Sequence, residues 1–147
     1  MPSDATKRRE EWRELGFFCD RDDQKKEWRL IGSRLGLLGF RDVLLDYVED
    51  TSNDYQSEHE HYGPNWCLEI MTWPEAGFDD HAIRGSLMDL KRLADIVETK
   101  LVGAKPGQTI SIKDEFVTNT LYALVLDVRE DGFDPAEADP VIPKESG

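Results

Sequence analysis

Residues 80–102 read DHAIRGSLMDLKRLADIVETKLV, and this stretch carries the clearest structural signal in the chain. Its apolar residues recur at intervals of four, three, four, three and four, which places them along one face of an α-helix. They are Ile83, Leu87, Leu90, Ala94, Val97 and Leu101. Asp79 or Asp80 can cap the start of the helix, and Gly103 ends it. We therefore predict an amphipathic helix over residues 80–102 that packs onto a β-sheet.

Strand signals flank this helix on both sides. After it, TISI at 109–112 and LYALVLDVR at 121–129 alternate as strands do, and they predict an antiparallel pair. Before it, WCLEIMTW at 66–73 is apolar on both faces, which predicts a strand inside a sheet. FRDVLLDYVED at 40–50 fits a strand or a helix. The three glycines before it and the turn-rich run after it favour the strand.

The N-terminal segment predicts two helices. The first spans about residues 4–15 and stops at Gly16. The second starts at the acidic residues 20–23 and ends near residue 38, with its apolar residues on one face. Residues 51–65 contain no aliphatic residue and predict a long loop, which in a compact domain is usually functional or disordered. The proline-rich end predicts a surface tail.

These elements follow the order α, α, β, β, α, β, β, without an internal repeat or a domain linker. They predict a single α+β domain over residues 1–147. We expect two layers, with one mainly antiparallel four-stranded sheet packed against one long helix and flanked by two N-terminal helices. The expected parts are a helical segment over 1–38, an α+β core over 40–130 and an acidic, proline-rich tail over 131–147.

Composition limits the class of protein. The chain has 147 residues, 39% of them hydrophobic, and carries 18 Lys and Arg against 31 Asp and Glu, a net charge of −13. A folded domain is expected, and the negative charge argues against nucleic acid or an anionic membrane as partner. Neither an apolar run of 18 residues nor a secretory signal is present, so we expect a cytoplasmic protein. Cys19 and Cys67 fit either reduced interior thiols or a pair.

The negative charge is concentrated in one stretch. Between Asp42 and Ile83 there are eleven carboxylates, no Lys or Arg, and all three histidines. Such a stretch is either a solvated acidic surface or a negative patch that recognises a cationic partner.

Motifs for catalysis are largely missing: there is no glycine-rich phosphate loop, nucleophile elbow or Cys/His zinc framework. His59 and His61 would point the same way on a strand and could share a metal. Asp54, Glu58, Cys67 or His81 could complete such a site. The flexible acidic setting supplies no second shell, however, so we expect no metal or cofactor.

Asp127 interrupts an apolar strand and allows two interpretations. It is either the exit of that strand to solvent or a buried acid paired with Arg129 or Arg84.

The layout resembles that of small acidic immunity proteins of bacterial toxin systems. Four features over about residues 40–131 carry the resemblance: the acidic loop DYQSEHEHYGPN, the strand WCLEIMTW, the helix GSLMDLKRLADIVETKL and the closing strand LYALVLDVRED. The resemblance implies a non-enzymatic protein that binds a toxin, often a basic one, and blocks it. No individual residue role carries over.

We therefore expect an acidic, non-enzymatic protein that binds a basic protein partner. The resemblance implies that this partner is a toxin, which binding neutralises. The alternatives are a structural or housekeeping protein, or a small metal-dependent enzyme using His59 and His61. The loop at 51–65 combines carboxylates with two tyrosines, which suit interfaces. The predicted partner-binding residues are Asp54, Tyr55, Glu58, His59, Glu60, His61 and Tyr62.

Overall fold

The computed structural model describes residues 4–142, which form three α-helices and eight β-strands. The helices are α1 (Asp4–Leu15), α2 (Arg34–Glu49) and α3 (Leu87–Val102). The strands are β1 (Phe18–Asp22), β2 (Glu27–Ser33), β3 (His59–Tyr62), β4 (Leu68–Thr72), β5 (Gly77–Phe78), β6 (Ile83–Gly85), β7 (Thr109–Ile112) and β8 (Ala123–Arg129). The α+β class is as predicted, as are α1, the strand near 66–73 and the antiparallel pair β7–β8.

The strands form two mixed sheets rather than the single, mainly antiparallel sheet that we predicted. Sheet 1 has the strand order β1-β2-β8-β7, and sheet 2 has the order β3-β4-β6-β5. In each sheet the two inner strands run parallel, and each outer strand runs antiparallel to its neighbour. The prediction failed because parallel pairing joins strands far apart in the chain, and no local pattern records it.

The two sheets arise from two halves of equal topology, residues 18–72 and 77–129. Each half is a hairpin, a helix and a second hairpin, and each sheet combines the first hairpin of one half with the second hairpin of the other. The strand registers of the two sheets correspond as well. Each pair of facing residues in sheet 1 has an equivalent pair in sheet 2: Gly32–Val128 corresponds to Gly85–Thr72, Leu30–Leu126 to Ile83–Ile70, and Thr109–Asp127 to His59–Met71. The repeat is therefore one of topology and register, which the residue types do not reveal.

Small local features repeat too. Ser33 ends β2 and Ser86 directly follows β6, and each serine side chain caps the next helix by accepting the N–H of the third residue of that helix.

The bulges repeat as well. The first strand of each second hairpin begins at a bulge of one extra residue. Ser57 (φ 76°) and Glu58 both bond Thr72 in one half, as Gly107 (φ 93°) and Gln108 bond Val128 in the other.

The helices α2 and α3 run antiparallel and pack mainly against each other. Arg34 at the start of α2 donates to the carbonyl of Val102 at the end of α3, and Arg41 pairs with Glu98 at 2.6 Å. The predicted apolar face of α3 is buried at Leu90, Ala94, Val97 and Leu101. The helix begins at residue 87 rather than 80, because Asp79 accepts backbone N–H groups within a tight turn that leads into β6.

The second N-terminal helix and the strand at 40–50 were wrong predictions. Residues 18–33 form β1 and β2, and residues 34–49 form α2. The glycines that suggested a helix end instead allow close packing, because a Cβ on Gly36 would lie 2.2 Å from the carbonyl oxygen of Gly16. The helical segment predicted for 1–38 therefore contains a β-hairpin.

The predicted loop and tail are also more ordered than expected. Residues 51–65 contain β3 and a short 3-10 turn over 51–53, and a second 3-10 turn over 64–66 begins at their end. In the tail, a 3-10 turn at 135–138 packs against α1. Asp139, only 4% exposed, accepts hydrogen bonds from Arg8 and from the indole of Trp12. The last part of the predicted tail, residues 143–147, lies outside the described residues.

The bulge at Ser57 predicts a stabilising substitution. A non-glycine residue in the left-handed region costs roughly 1–2 kcal/mol, of which part is offset by the larger entropy that glycine loses on folding. Ser57→Gly should therefore raise the free energy of unfolding by roughly 0.5–1 kcal/mol in urea titrations. Ser111→Gly, an exposed serine within β7, is the control and should lower the same free energy. A loss of stability in Ser57→Gly would contradict the prediction.

The Asp139 site predicts an acid-sensitive tail. Burial alone would raise the pKa of Asp139, but hydrogen bonds from Arg8 and Trp12 hold that pKa below its ordinary value. The stabilisation is therefore present above the unfolded pKa of about 3.9 and is lost as the pH falls through the folded pKa. Asp139→Asn should lower stability at pH 7 and flatten the dependence of the urea midpoint on pH below about 4. An unchanged pH dependence would contradict this.

Candidate functional site

Because the two sheets share one topology, their solvent-facing sides can be compared position by position. The outer side of sheet 1 is closed by its own contacts. Arg29 pairs with Asp127 at 2.8 Å and with Glu27 at 2.5 Å, and Thr109 donates to Asp127 at 2.9 Å. Asp127 is thus a nearly buried acid, but its partner is Arg29 rather than the predicted Arg129 or Arg84.

The outer side of sheet 2 displays different chemistry. His59, Met71 and Arg84 form one row across three neighbouring strands, and His61 lies opposite Glu69 in the next row. The ring of His61 approaches Glu69 at 2.6 Å through Nε2. We call this surface the sheet 2 face, and it consists of His59, His61, Trp66, Glu69, Met71, Trp73 and Arg84.

An aromatic cluster occupies one end of the sheet 2 face. The ring of His61 lies 5.3 Å from that of Trp66 and 5.2 Å from that of His59. Trp66 is 72% exposed and has a positive φ of 55°. It lies in the 3-10 turn before β4, although its position at the start of WCLEIMTW had predicted a strand. A large indole held in solvent by a strained backbone is an unusual use of tryptophan and directs attention to this surface.

A cavity of about 430 Å³ opens at the other end of the sheet 2 face. Its lining residues are Ser57, Met71, Trp73, Asp79, His81, Ala82 and Arg84. Arg84 donates to the carbonyl of Glu75 at 2.9 Å, and its Nε lies 2.8 Å from Oδ2 of Asp79. The ion pair neutralises both charges within a mainly apolar wall. The volume suits a small ligand or one large side chain of a partner.

The predicted binding residues lie in β3, the edge strand of sheet 2, and in the segment that precedes β3 in the sequence. Asp54, Tyr55 and Glu58 precede β3 and are exposed, with Tyr55 at 68%. Tyr47 fixes the start of the strand, because its hydroxyl donates to the carbonyl of Glu58 at 2.8 Å and contacts Oγ1 of Thr72 at 2.7 Å. The loop is therefore anchored to α2 and β4.

The four residues of β3 divide between two sides of the sheet. His59 and His61 belong to the sheet 2 face, whereas Glu60 and Tyr62 alternate to the opposite side. Tyr62 packs against the core, and its burial, followed by the charge of Glu60, raises its pKa. Tyr62 is thus a packing residue, while Glu60 remains exposed.

The histidine pair does not assemble a metal site in the described residues. No group of three or more His, Cys, Asp or Glu side chains there could hold a metal ion. Instead, Nδ1 of His59 lies 3.0 Å from the carbonyl of Ser57, and His81 lines the cavity.

The cysteines, which the sequence left as reduced or paired, are both free, and Cys67 donates to the carbonyl of Cys19 at 2.6 Å. Burial, followed by the neighbouring Cys67, raises the pKa of the Cys19 thiol.

The predicted binding set leaves out five residues of this surface, and the two tryptophans among them are predicted as aromatic core: Trp66, Glu69, Met71, Trp73 and Arg84. A signal for three of them was present, because alternation along β4 and the residue after it puts Glu69, Met71 and Trp73 on one side. Arg84 cannot be found in this way, because the apolar spacing predicts a helix over the residues that form the short strand β6.

No α-helix of residues 4–142 is both long and apolar enough to cross a membrane. Comparison of the chain with protein-family models, with curated proteins and with solved structures gave no match.

Proposed function

We propose that this protein is a non-enzymatic binding protein that recognises a basic protein partner through the sheet 2 face and the acidic residues beside it. One observation carries the proposal: two sheets of equal topology and register differ in their outer sides. Sheet 1 satisfies its polar groups internally, whereas sheet 2 leaves aromatic, histidine and methionine side chains accessible.

The residue types on this face favour binding over a structural role. Protein interfaces are enriched in Trp, Tyr, Met and Arg, and a few such anchors supply most of the binding energy. Trp66 at 72% exposure and Tyr55 at 68% contribute little to the core, so their large apolar areas are available to a partner. The cavity beside Trp73 offers a place for one inserted side chain.

The charge of the surroundings favours a basic partner. Asp54, Glu58 and Glu60 are exposed, and the stretch from 42 to 83 contains no Lys or Arg to neutralise them. Arg84 is the basic residue of the face, and Asp79 already neutralises it. Complementary charge steers the encounter and excludes partners of like charge.

The resemblance to small acidic immunity proteins supports one biological use, in which the partner is a toxin that binding blocks. Among the alternatives, the metal-dependent enzyme gains no support, because His59 and His61 belong to no group of three or more His, Cys, Asp or Glu among the described residues that could hold a metal ion. A housekeeping role has no observation of its own in its favour.

The proposal predicts that Trp66→Ala weakens binding without affecting the fold. Affinity capture from the native cells with the wild-type protein identifies the partner, and binding of the purified pair then gives the Kd. Truncation of a hot-spot tryptophan should raise the Kd at least about tenfold, chiefly through the off-rate. Leu35→Ala is the matched control, because Leu35 is 69% exposed and lies on α2. Its Kd should equal that of the wild type.

Two results would contradict the proposed function. One is that the captured partners are acidic or neutral proteins. The other is that a basic partner binds Trp66→Ala and Leu35→Ala with the same Kd, which would place the interface elsewhere on the molecule.

A further inference from the structure

The strand β3 is an outer strand of sheet 2. The backbone N–H and C=O groups of two of its residues, His59 and His61, face its free edge. Among the described strands β3 pairs only with β4. Thr72 of β4 exchanges backbone hydrogen bonds with Ser57 and Glu58. Antiparallel pairs alternate along a strand, so Glu60 and Tyr62 also bond β4. The N–H and C=O groups of His59 and His61 therefore point away from the sheet.

Among the described residues, no backbone–backbone hydrogen bond closes the outer edge of β3 at His59 or His61. His59 and Glu60 are exposed, and His61 is half-buried. Proteins usually protect such an edge with a very short strand, charged side chains, proline, a bulge or a covering segment, because it can pair with any extended chain. Here β3 is short and begins at a bulge, Tyr47 holds it in place, and its charged residues are acidic, which leaves the edge open to a basic chain.

Charge selects what can pair with this edge. Glu60 lies on one side of β3, as does Glu58 just before the strand, and His59 and His61 lie on the other. A second copy of the chain pairing antiparallel about His59 or about Glu60 would place glutamates opposite glutamates, which is destabilising. An added strand with Lys or Arg at every second position would face the glutamates, and apolar residues between them would face the histidines and Trp66.

We propose that the free edge of β3 binds an extended basic segment of the partner, which joins sheet 2 as a fifth strand. This deepens the proposed function and rests on it. The segment alternates basic and apolar residues, and its backbone bonds the N–H and C=O groups of His59 and His61. Backbone pairing gives affinity, while the alternating side chains give specificity.

A synthetic probe tests the proposal before the natural partner is known. The probe is a capped ten-residue peptide of alternating Lys and Val, and binding is measured by calorimetry and by amide NMR shifts. A second peptide is methylated on every backbone nitrogen, so that it keeps its charge but donates no backbone hydrogen bond. We expect the first peptide to bind and to shift the amides of His59 and His61, and the methylated peptide to bind at least tenfold more weakly.

Protein variants separate the backbone from the side chain. His61→Ala and His61→Pro both lose the imidazole and its contact with Glu69, but only the proline also removes the outward N–H. We expect His61→Pro to bind the peptide at least tenfold more weakly than His61→Ala. Ser111→Pro occupies the matching position on β7, the equivalent edge of sheet 1, and should bind like the wild type. Thermal melts check that each variant folds, and if His61→Pro does not, the methylated peptide decides.

The outcomes distinguish this proposal from the proposed function. Equal binding of the two peptides, or of His61→Pro and His61→Ala, would overturn strand addition while leaving recognition of a basic partner intact. Absence of binding by the unmodified peptide would also overturn strand addition. A partner that is not basic, or that ignores Trp66, would instead overturn the proposed function.

Discussion

The fold depends on two parallel pairings, β2 with β8 and β4 with β6. Each pairing joins one half of the chain to the other, so neither half forms a complete sheet by itself. The helices that follow β2 and β6 start at equivalent serine caps and pack against each other. Further contacts connect the halves, such as the bond from the indole of Trp28 to the carbonyl of Asp79 at 2.8 Å. The apolar residues of both halves consequently form one core.

One framework built twice can carry two different surfaces. The backbone hydrogen bonds and the inner residues fix the sheets, while the outward residues are free to differ. On sheet 1 they form ion pairs with one another, and Asp127 is satisfied by Arg29 and Thr109. At the position of sheet 2 that matches Asp127 stands Met71, which opens into the cavity beside Trp73. The difference between matching positions, rather than any motif, is what distinguishes the candidate binding surface from the supporting one.

Periodicity predicted the body of α3, whose apolar residues lie on one face, and the strands β7 and β8, of which β8 is a continuous apolar run. It failed over residues 20–50, where apolar residues fit both a helical and a strand spacing and where Gly36 serves close packing against Gly16. It also failed at β3, which has few apolar residues and is held by Tyr47 and by the bulge at Ser57. The sequence still predicts residues 51–65 as a candidate surface, because their carboxylates and their lack of aliphatic side chains can be counted without a structure. The aromatic residues that adjoin it needed the sheet to bring them together.

The exchange of hairpins between the halves also sets the order of events during synthesis. Because β2 ends at residue 33 and its parallel partner β8 begins only at residue 123, the first hairpin leaves the ribosome long before sheet 1 can close. Contacts so distant in sequence slow folding, since the loop must be closed before they form. Until then one side of β2 lacks its neighbour, and such transient edges are where nascent chains aggregate. The acidic stretch between residues 42 and 83 emerges during that interval, and its charge repels other copies of the same unfinished chain.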